Sequence, residues 1–141
     1  MQRSMMIGKL HGLRVTGADL HYEGSVALDP DHTEAAGILP HEFVEIWNKT
    51  TGVRISTYVI PGERGSRCCV LNGAAARTCQ VGDELIIAAR VWVAEERLRD
   101  FVSRTVTFCA ENRVLHQIEH RLTNNHDGRW VMSVSADTKS E

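Results

Sequence analysis

Strand-length apolar runs recur along most of this chain with turn signals between them, a rhythm that favours a compact all-β barrel over a parallel α/β layout. Residues 43–48 and 53–60 read as strands joined through Lys49-Thr50-Thr51-Gly52, and residues 68–71 and 84–93 read as further apolar strands. Residues 104–118 hold two more strands around Glu111-Asn112. Helices are few. Asp29 as N-cap, Pro30 in the first helical position and Gly37 as a left-handed stop mark one of two turns, and residues 94–101 read as a short charged helix. Beyond Ile118 the chain is largely polar, with Trp130-Val131-Met132 as its one apolar cluster. The expected division is therefore a barrel domain over residues 1–118 and a mobile, weakly docking tail over 119–141.

A chain of 141 residues has room for one domain and can bury enough surface to fold without staples. Its 16 basic and 18 acidic residues give a net charge of −2, which leaves no electrostatic footprint for nucleic acid and no polybasic patch for a membrane. The first residues lack the apolar run of a secretory signal, and no stretch is long enough to span a bilayer, so the expected compartment is the cytoplasm. Cys68, Cys69, Cys79 and Cys109 show no C-x-x-C spacing and read as buried free thiols. His116 and His120 have the spacing of two helical ligands, but the segment alternates like a strand, which directs them apart, and no further ligands stand out; no metal site is expected.

The residues that carry chemistry begin at Tyr22-Glu23-Gly24-Ser25. A Gly-Ser bond is usually a solvated turn. Held in a strained backbone with donors for an oxyanion, its serine can instead attack the preceding carbonyl. Glycine at 24 suits that geometry because it lacks a Cβ. Asn72-Gly73-Ala74-Ala75-Ala76 lacks the ending of a nucleotide phosphate loop, yet its small side chains let a ligand approach the backbone. Strand alternation puts Arg54, Ser56, Tyr58 and Ile60 on one face and Ile55, Thr57 and Val59 on the other.

The segments Gly8-Lys9-Leu10-His11, residues 15–25, Ala35-Ala36-Gly37-Ile38-Leu39, Ile46-Trp47-Asn48, residues 54–58, Glu63-Arg64-Gly65-Ser66, residues 72–77 and Val81-Gly82-Asp83 stand in an order and spacing that resembles the pyruvoyl-dependent aspartate 1-decarboxylase family. The resemblance is dense from about Met5 to Arg90 and looser to Ile118. Gly12 departs from it, standing where relatives often carry a basic residue, with consequences for the first strand or for subunit contacts.

The resemblance implies a double-psi β-barrel and a homotetramer with active sites between subunits. It implies a lyase made as a zymogen: Ser25 attacks Gly24, the chain is cut, and position 25 becomes a pyruvoyl group that takes L-aspartate as a Schiff base and releases carbon dioxide and β-alanine for pantothenate and coenzyme A synthesis. No metal and no pyridoxal phosphate is needed. By the same resemblance Lys9 and Arg54 bind the substrate carboxylates, Tyr58 is the proton donor, and Asn72, Gly73, Ala74 and Ala75 line the pocket. Thr57 supports processing and substrate binding, which on the wrong strand face would need a bulge or a neighbouring subunit, and Tyr22 packs beside the cleavage point. Processing is left open between a spontaneous reaction and one that uses a maturation factor. The alternatives are a pyruvoyl decarboxylase of another amino acid, against which Lys9 and Arg54 argue, and an unprocessed β-barrel binding module.

Overall fold

The computed structural model describes residues 1–138 and is built mainly of strands. They are β1 (Gln2–Arg14), β2 (Gly17–Asp19), β3 (Ser25–Leu28), β4 (Phe43–Asn48), β5 (Arg54–Pro61), β6 (Cys69–Asn72), β7 (Glu84–Ala94), β8 (Phe101–Cys109), β9 (Arg113–Asn124) and β10 (Trp130–Thr138), with one helix, α1 (Pro30–Ala36). Their order across the sheet is β10-β9-β8-β1-β7-β4-β5-β3-β6-β2. β1 and β2 are consecutive in the chain but lie in the middle and at one end of that order, so the sheet has to curl until β2 comes round to β1. Thr16, between them, donates its backbone N–H to Cys69 O at 2.8 Å. The result is the expected all-β barrel. Its interior holds Leu10, Leu13, Val26, Leu28, Ile46, Leu71, Leu85, Ile87 and Val106, all fully removed from water.

α1 begins and ends where its capping residues direct. The Asp29 carboxylate accepts the Asp31 N–H at 2.9 Å, Pro30 fills the first turn, and Gly37 closes it in the left-handed region at φ 73°. Asp29 also accepts the N–H groups of Gly65 (3.1 Å) and Arg67 (2.8 Å), so one carboxylate caps the helix and anchors the 62–67 loop. Arg64 closes that loop from outside on Asp31 and Glu34.

Three expectations are corrected. Residues 94–101 form no α-helix: β7 runs to Ala94, a single 3-10 turn spans Glu95–Arg97, and β8 starts at Phe101. Residues 119–138 are not a tail, because β9 passes straight through residue 118 and pairs along its length with β10. The turn between them is built by Asn125 Oδ1, which accepts from Asp127 N and Arg129 N. Residues 139–141 of the expected tail lie outside the described residues. Of the cysteines, only Cys69 and Cys79 are buried; Cys68 and Cys109 are partly exposed.

Gly12 has a specific role in this fold. β1 slips register against β7 between His11 and Leu13, and Gly12 takes φ +85° at that bulge, a conformation a basic L-residue adopts only at a cost. His116 and His120 share one face of β9, contrary to the expected divergence. The rise of a strand, about 13 Å over four residues, is what separates them.

Candidate active site

Ser25 is the first residue of β3, and β3 is gripped on both sides: it runs parallel to β5, with Val26 beside Val59, and antiparallel to β6, with Ser25 opposite Asn72. That pairing buries Ser25 and sets its hydroxyl within 3.0 Å of Asn72 Nδ2, which donates to it. The Ser25 hydroxyl reaches Glu23 O only at 3.5 Å. A neutral amide therefore orients the nucleophile, and among the described contacts no base touches it.

Gly73 begins the 3-10 turn that follows β6, with φ +66°. A Cβ there would stand 2.8 Å from Gly24 Cα, 2.9 Å from Gly24 N and 3.0 Å from Tyr22 O. The backbone at 73 is thus pressed against the candidate scissile segment, and only glycine permits it. Gly24 differs from expectation. It lies outside the left-handed region, and a Cβ on it would meet nothing within 4 Å. The close approach that demands glycine belongs to position 73. The Tyr22 side chain is largely exposed, and it is the Tyr22 backbone carbonyl that closely approaches Gly73.

Beside Gly24 opens a cavity of about 290 Å³, lined by Thr57, Asn72, Ala74 and Ala75 with Ile55, Ser56 and Thr78. Thr57 reaches it from the same chain, and β5 pairs with β4 without any register shift, so neither the bulge nor the neighbouring subunit expected for Thr57 is required. Thr78, which the sequence reading missed, fixes the end of the 3-10 turn by donating to Ala75 O at 2.7 Å. Asn48 holds the same corner, donating to Thr78 O and to Asp83 while accepting from Thr50 N and Thr51 N.

The cavity is lined by no Lys or Arg. Lys9, Arg54 and Tyr58 instead share the outer face of the β1-β7-β4-β5 sheet. Lys9 stands beside Ala88, Ala88 beside Glu45 and Glu45 beside Ser56, while Trp47 pairs with Arg54 and Phe43 with Tyr58. The Arg54 guanidinium carbon lies 4.9 Å from the Trp47 ring centroid, a cation–π contact that presets the fork. The Trp47 position follows from the 49–52 loop length and went unread in the sequence. The Tyr58 ring packs between Phe43 (6.0 Å) and His41 (5.5 Å).

Two histidines, His32 buried and His11 half-buried, lie apart from this cavity. His32, on α1, stands edge-on to Phe108 at 4.6 Å, and burial holds its imidazole below its ordinary value, opposed by Asp29 and Asp31 and helped by Arg67. His11, on β1, is lowered by burial and then by Lys9 and Lys49. Among the described residues no group of three or more His, Cys, Asp or Glu is arranged to hold a metal ion, and no helix is long and apolar enough to cross a membrane.

Comparison with known proteins bears directly on this arrangement. The family model for aspartate decarboxylase matches residues 1–115, which include every element around Ser25. The chain is 57% identical over 132 residues to the aspartate 1-decarboxylase of Methylobacterium nodulans, covering 94% of this chain and 87% of that one. It is 56% identical over 139 residues to the aspartate 1-decarboxylase of Xanthobacter autotrophicus, covering 99% and 93%. A third relative, aspartate 1-decarboxylase 2 of Mesorhizobium japonicum, is 54% identical over 132 residues, 94% of this chain and 88% of its own. With the family model spanning the barrel and relatives matched over almost the whole length, the chain belongs to the aspartate decarboxylase family.

Proposed function

We propose that this chain cuts itself between Gly24 and Ser25 and, with the pyruvoyl group left at position 25, decarboxylates L-aspartate to β-alanine and carbon dioxide in the cytoplasm, supplying pantothenate synthesis. The observation that carries the processing step is the pairing of Ser25 with Asn72 beside the Gly73–Gly24 contact. Ser25 Oγ forms a bond to the Gly24 carbonyl carbon as the peptide C–N bond breaks, giving an ester. Elimination across Ser25 Cα–Cβ releases the Gly24 carboxylate and leaves dehydroalanine, which water converts to the ketone with loss of ammonia. Asn72 orients the hydroxyl, and Thr57, on the wall of the same cavity as Gly24, is the nearby hydroxyl suited to the oxyanion that develops on the Gly24 carbonyl.

A pyruvoyl group at 25 fits these surroundings: it would lie against Asn72 and open toward a cavity lined by small side chains. When formed it supplies the electron sink that lets the substrate α-carboxylate leave. The rest is binding and proton transfer by the chain. A dicarboxylate needs fixed cations, and the cavity has none of its own, so Lys9 and Arg54 act from the outer face of a neighbouring copy. This supports a homotetramer with composite sites. Arg54, preset by Trp47, grips the side-chain carboxylate, Lys9 acts as a point charge, and Tyr58 on the same face returns a proton to the substrate carbon.

Intact-mass analysis of the purified protein, with and without host extract, tests the proposal and reads any need for a maturation factor. Two chains, residues 1–24 and a pyruvoyl-led 25–141, are expected in preparations that make β-alanine from aspartate. One full-length mass in an active preparation rejects it.

A further inference from the structure

Asn48 and Asp83 line no part of the cavity beside Gly24, yet their side chains meet at the end of the turn that forms its wall. Asn48 closes β4, is 3% exposed, and has both ends of its amide engaged. Nδ2 donates to Asp83 Oδ2 at 2.8 Å and to Thr78 O at 3.3 Å, while Oδ1 accepts from Thr50 N at 2.9 Å and Thr51 N at 3.1 Å. A flipped amide would set donors against donors and acceptors against acceptors, so the side chain has one orientation. Asp83 is fixed in turn. Its Oδ2 also accepts from Gln80 N at 2.9 Å, and its backbone carbonyl accepts from Val15 N at 2.9 Å, just beyond β1.

Residues 73–78 carry Gly73, pressed against Gly24, and put Ala74, Ala75 and Thr78 on the cavity wall. The bonds inside this turn, from Thr78 N and Thr78 Oγ1 to Ala75 O at 3.0 Å and 2.7 Å, set its shape but not its place on the barrel. Its near end is placed by β6, where Asn72 pairs with Ser25. Among the described hydrogen bonds, the one that ties residues 74–78 to another strand is the bond from Asn48 to Thr78 O. We infer that Asn48, held by Asp83, is a positioning residue for self-cleavage: it fixes the far end of the turn so that Gly73 stays against Gly24 while Ser25 attacks. The inference rests on the self-cleavage reading. Neither side chain touches the reacting atoms, and both act through the backbone of the turn. That leverage is large, since a shift of about 1 Å in a reacting segment can cost on the order of 10² in rate.

Asn48→Asp tests this, because it keeps an acceptor for Thr50 and Thr51, removes the donor to Thr78 O and sets a second carboxylate against Asp83. Asn112→Asp is its matched control. Asn112 is 1% exposed, accepts from Arg14 N at 2.8 Å and donates to Arg14 O at 2.9 Å and Arg67 O at 3.0 Å, so the same substitution removes a buried donor that does not bond to the 73–78 turn. Appearance of the 25–141 chain by mass spectrometry gives the cleavage rate, and melting temperatures in a Ser25→Ala background give stability. Both variants should melt lower than the parent, while Asn48→Asp alone should cleave about 10-fold more slowly or worse. Asp83→Asn, which keeps an acceptor oxygen, should cleave near the parental rate and Asp83→Ala more slowly. In a parent that cleaves, equal slowing of Asn48→Asp and Asn112→Asp, or a parental rate in Asn48→Asp, overturns the inference. If Asn48→Asp does not fold, the two Asp83 variants decide, and equal rates overturn it. An active parent that never cleaves rejects the self-cleavage reading itself, a result read from the parent alone.

Discussion

Asn72 Nδ2 donates to Ser25 Oγ at 3.0 Å across the first rung of the β3–β6 ladder. The hydrogen bond occupies one lone pair and aims the hydroxyl, so it governs how often Ser25 is in position to attack. Asn72→Ala should slow cleavage by roughly 10-fold, the effect of losing one orienting hydrogen bond worth about 1 kcal/mol, while Ser25→Ala folds and never cleaves. The rate at which the 25–141 chain appears by mass spectrometry is the measurement, and parental cleavage in Asn72→Ala would count against the assignment.

Glycine is required at 73 and not, on steric grounds, at 24. Gly73→Ala should lose roughly 1–3 kcal/mol of stability through its positive φ and the clash with Gly24, and should process poorly. Gly24→Ala should unfold at the parent's temperature. Thermal melts of the two variants in a Ser25→Ala background compare them without interference from cleavage.

Neighbours on β5 should have opposite phenotypes. Thr57→Val alters the cavity beside Gly24 and should retard cleavage. Tyr58→Phe keeps the packing against His41 and Phe43, should cleave normally, and should lower aspartate turnover by about 10² to 10⁴-fold. Separate assays of processing and of β-alanine formation distinguish them; matching defects in the two variants would show that the faces of β5 do not divide the work.

Stability should fall on mild acidification. His32 and His11 have folded-state values held below the unfolded value of about 6.5, so below that pH the unfolded chain binds more protons than the folded one. Their neutral forms favour the fold above about pH 6.5, and that advantage is lost as pH falls toward 5. The melting temperature of uncleaved Ser25→Ala should therefore drop between pH 7 and pH 5, and His32→Gln in the same background should narrow the difference.

Much of the barrel was legible because its strands alternate and its one helix carries strong caps; Asp29, Pro30 and Gly37 specify α1 by local chemistry alone. The hairpin was missed because Trp130, Met132, Val134 and Ala136 alternate against an exposed polar face, which reads as tail composition until the Asp127-Gly128 turn signal is given weight. The residues around Ser25 were named by resemblance, but their division between a cavity and an outer sheet face depends on strand order. Alternation alone put Thr57 and Tyr58 on opposite faces of β5, but no local pattern reveals that β3 lies between β5 and β6, which is what brings the Thr57 side to the cavity beside Gly24.

A break before Ser25 falls at the very start of β3, and the segment ahead of it is held by β1, which has β7 on one flank and β8 on the other. The two pieces would stay together by strand pairing and buried leucines, while the order of events in folding would change for good. An uncut chain regains its structure as a one-body process. A cut chain has to find its first 24 residues by collision, so its recovery from denaturant depends on concentration, and each molecule carries in its refolding kinetics a record of whether it has matured.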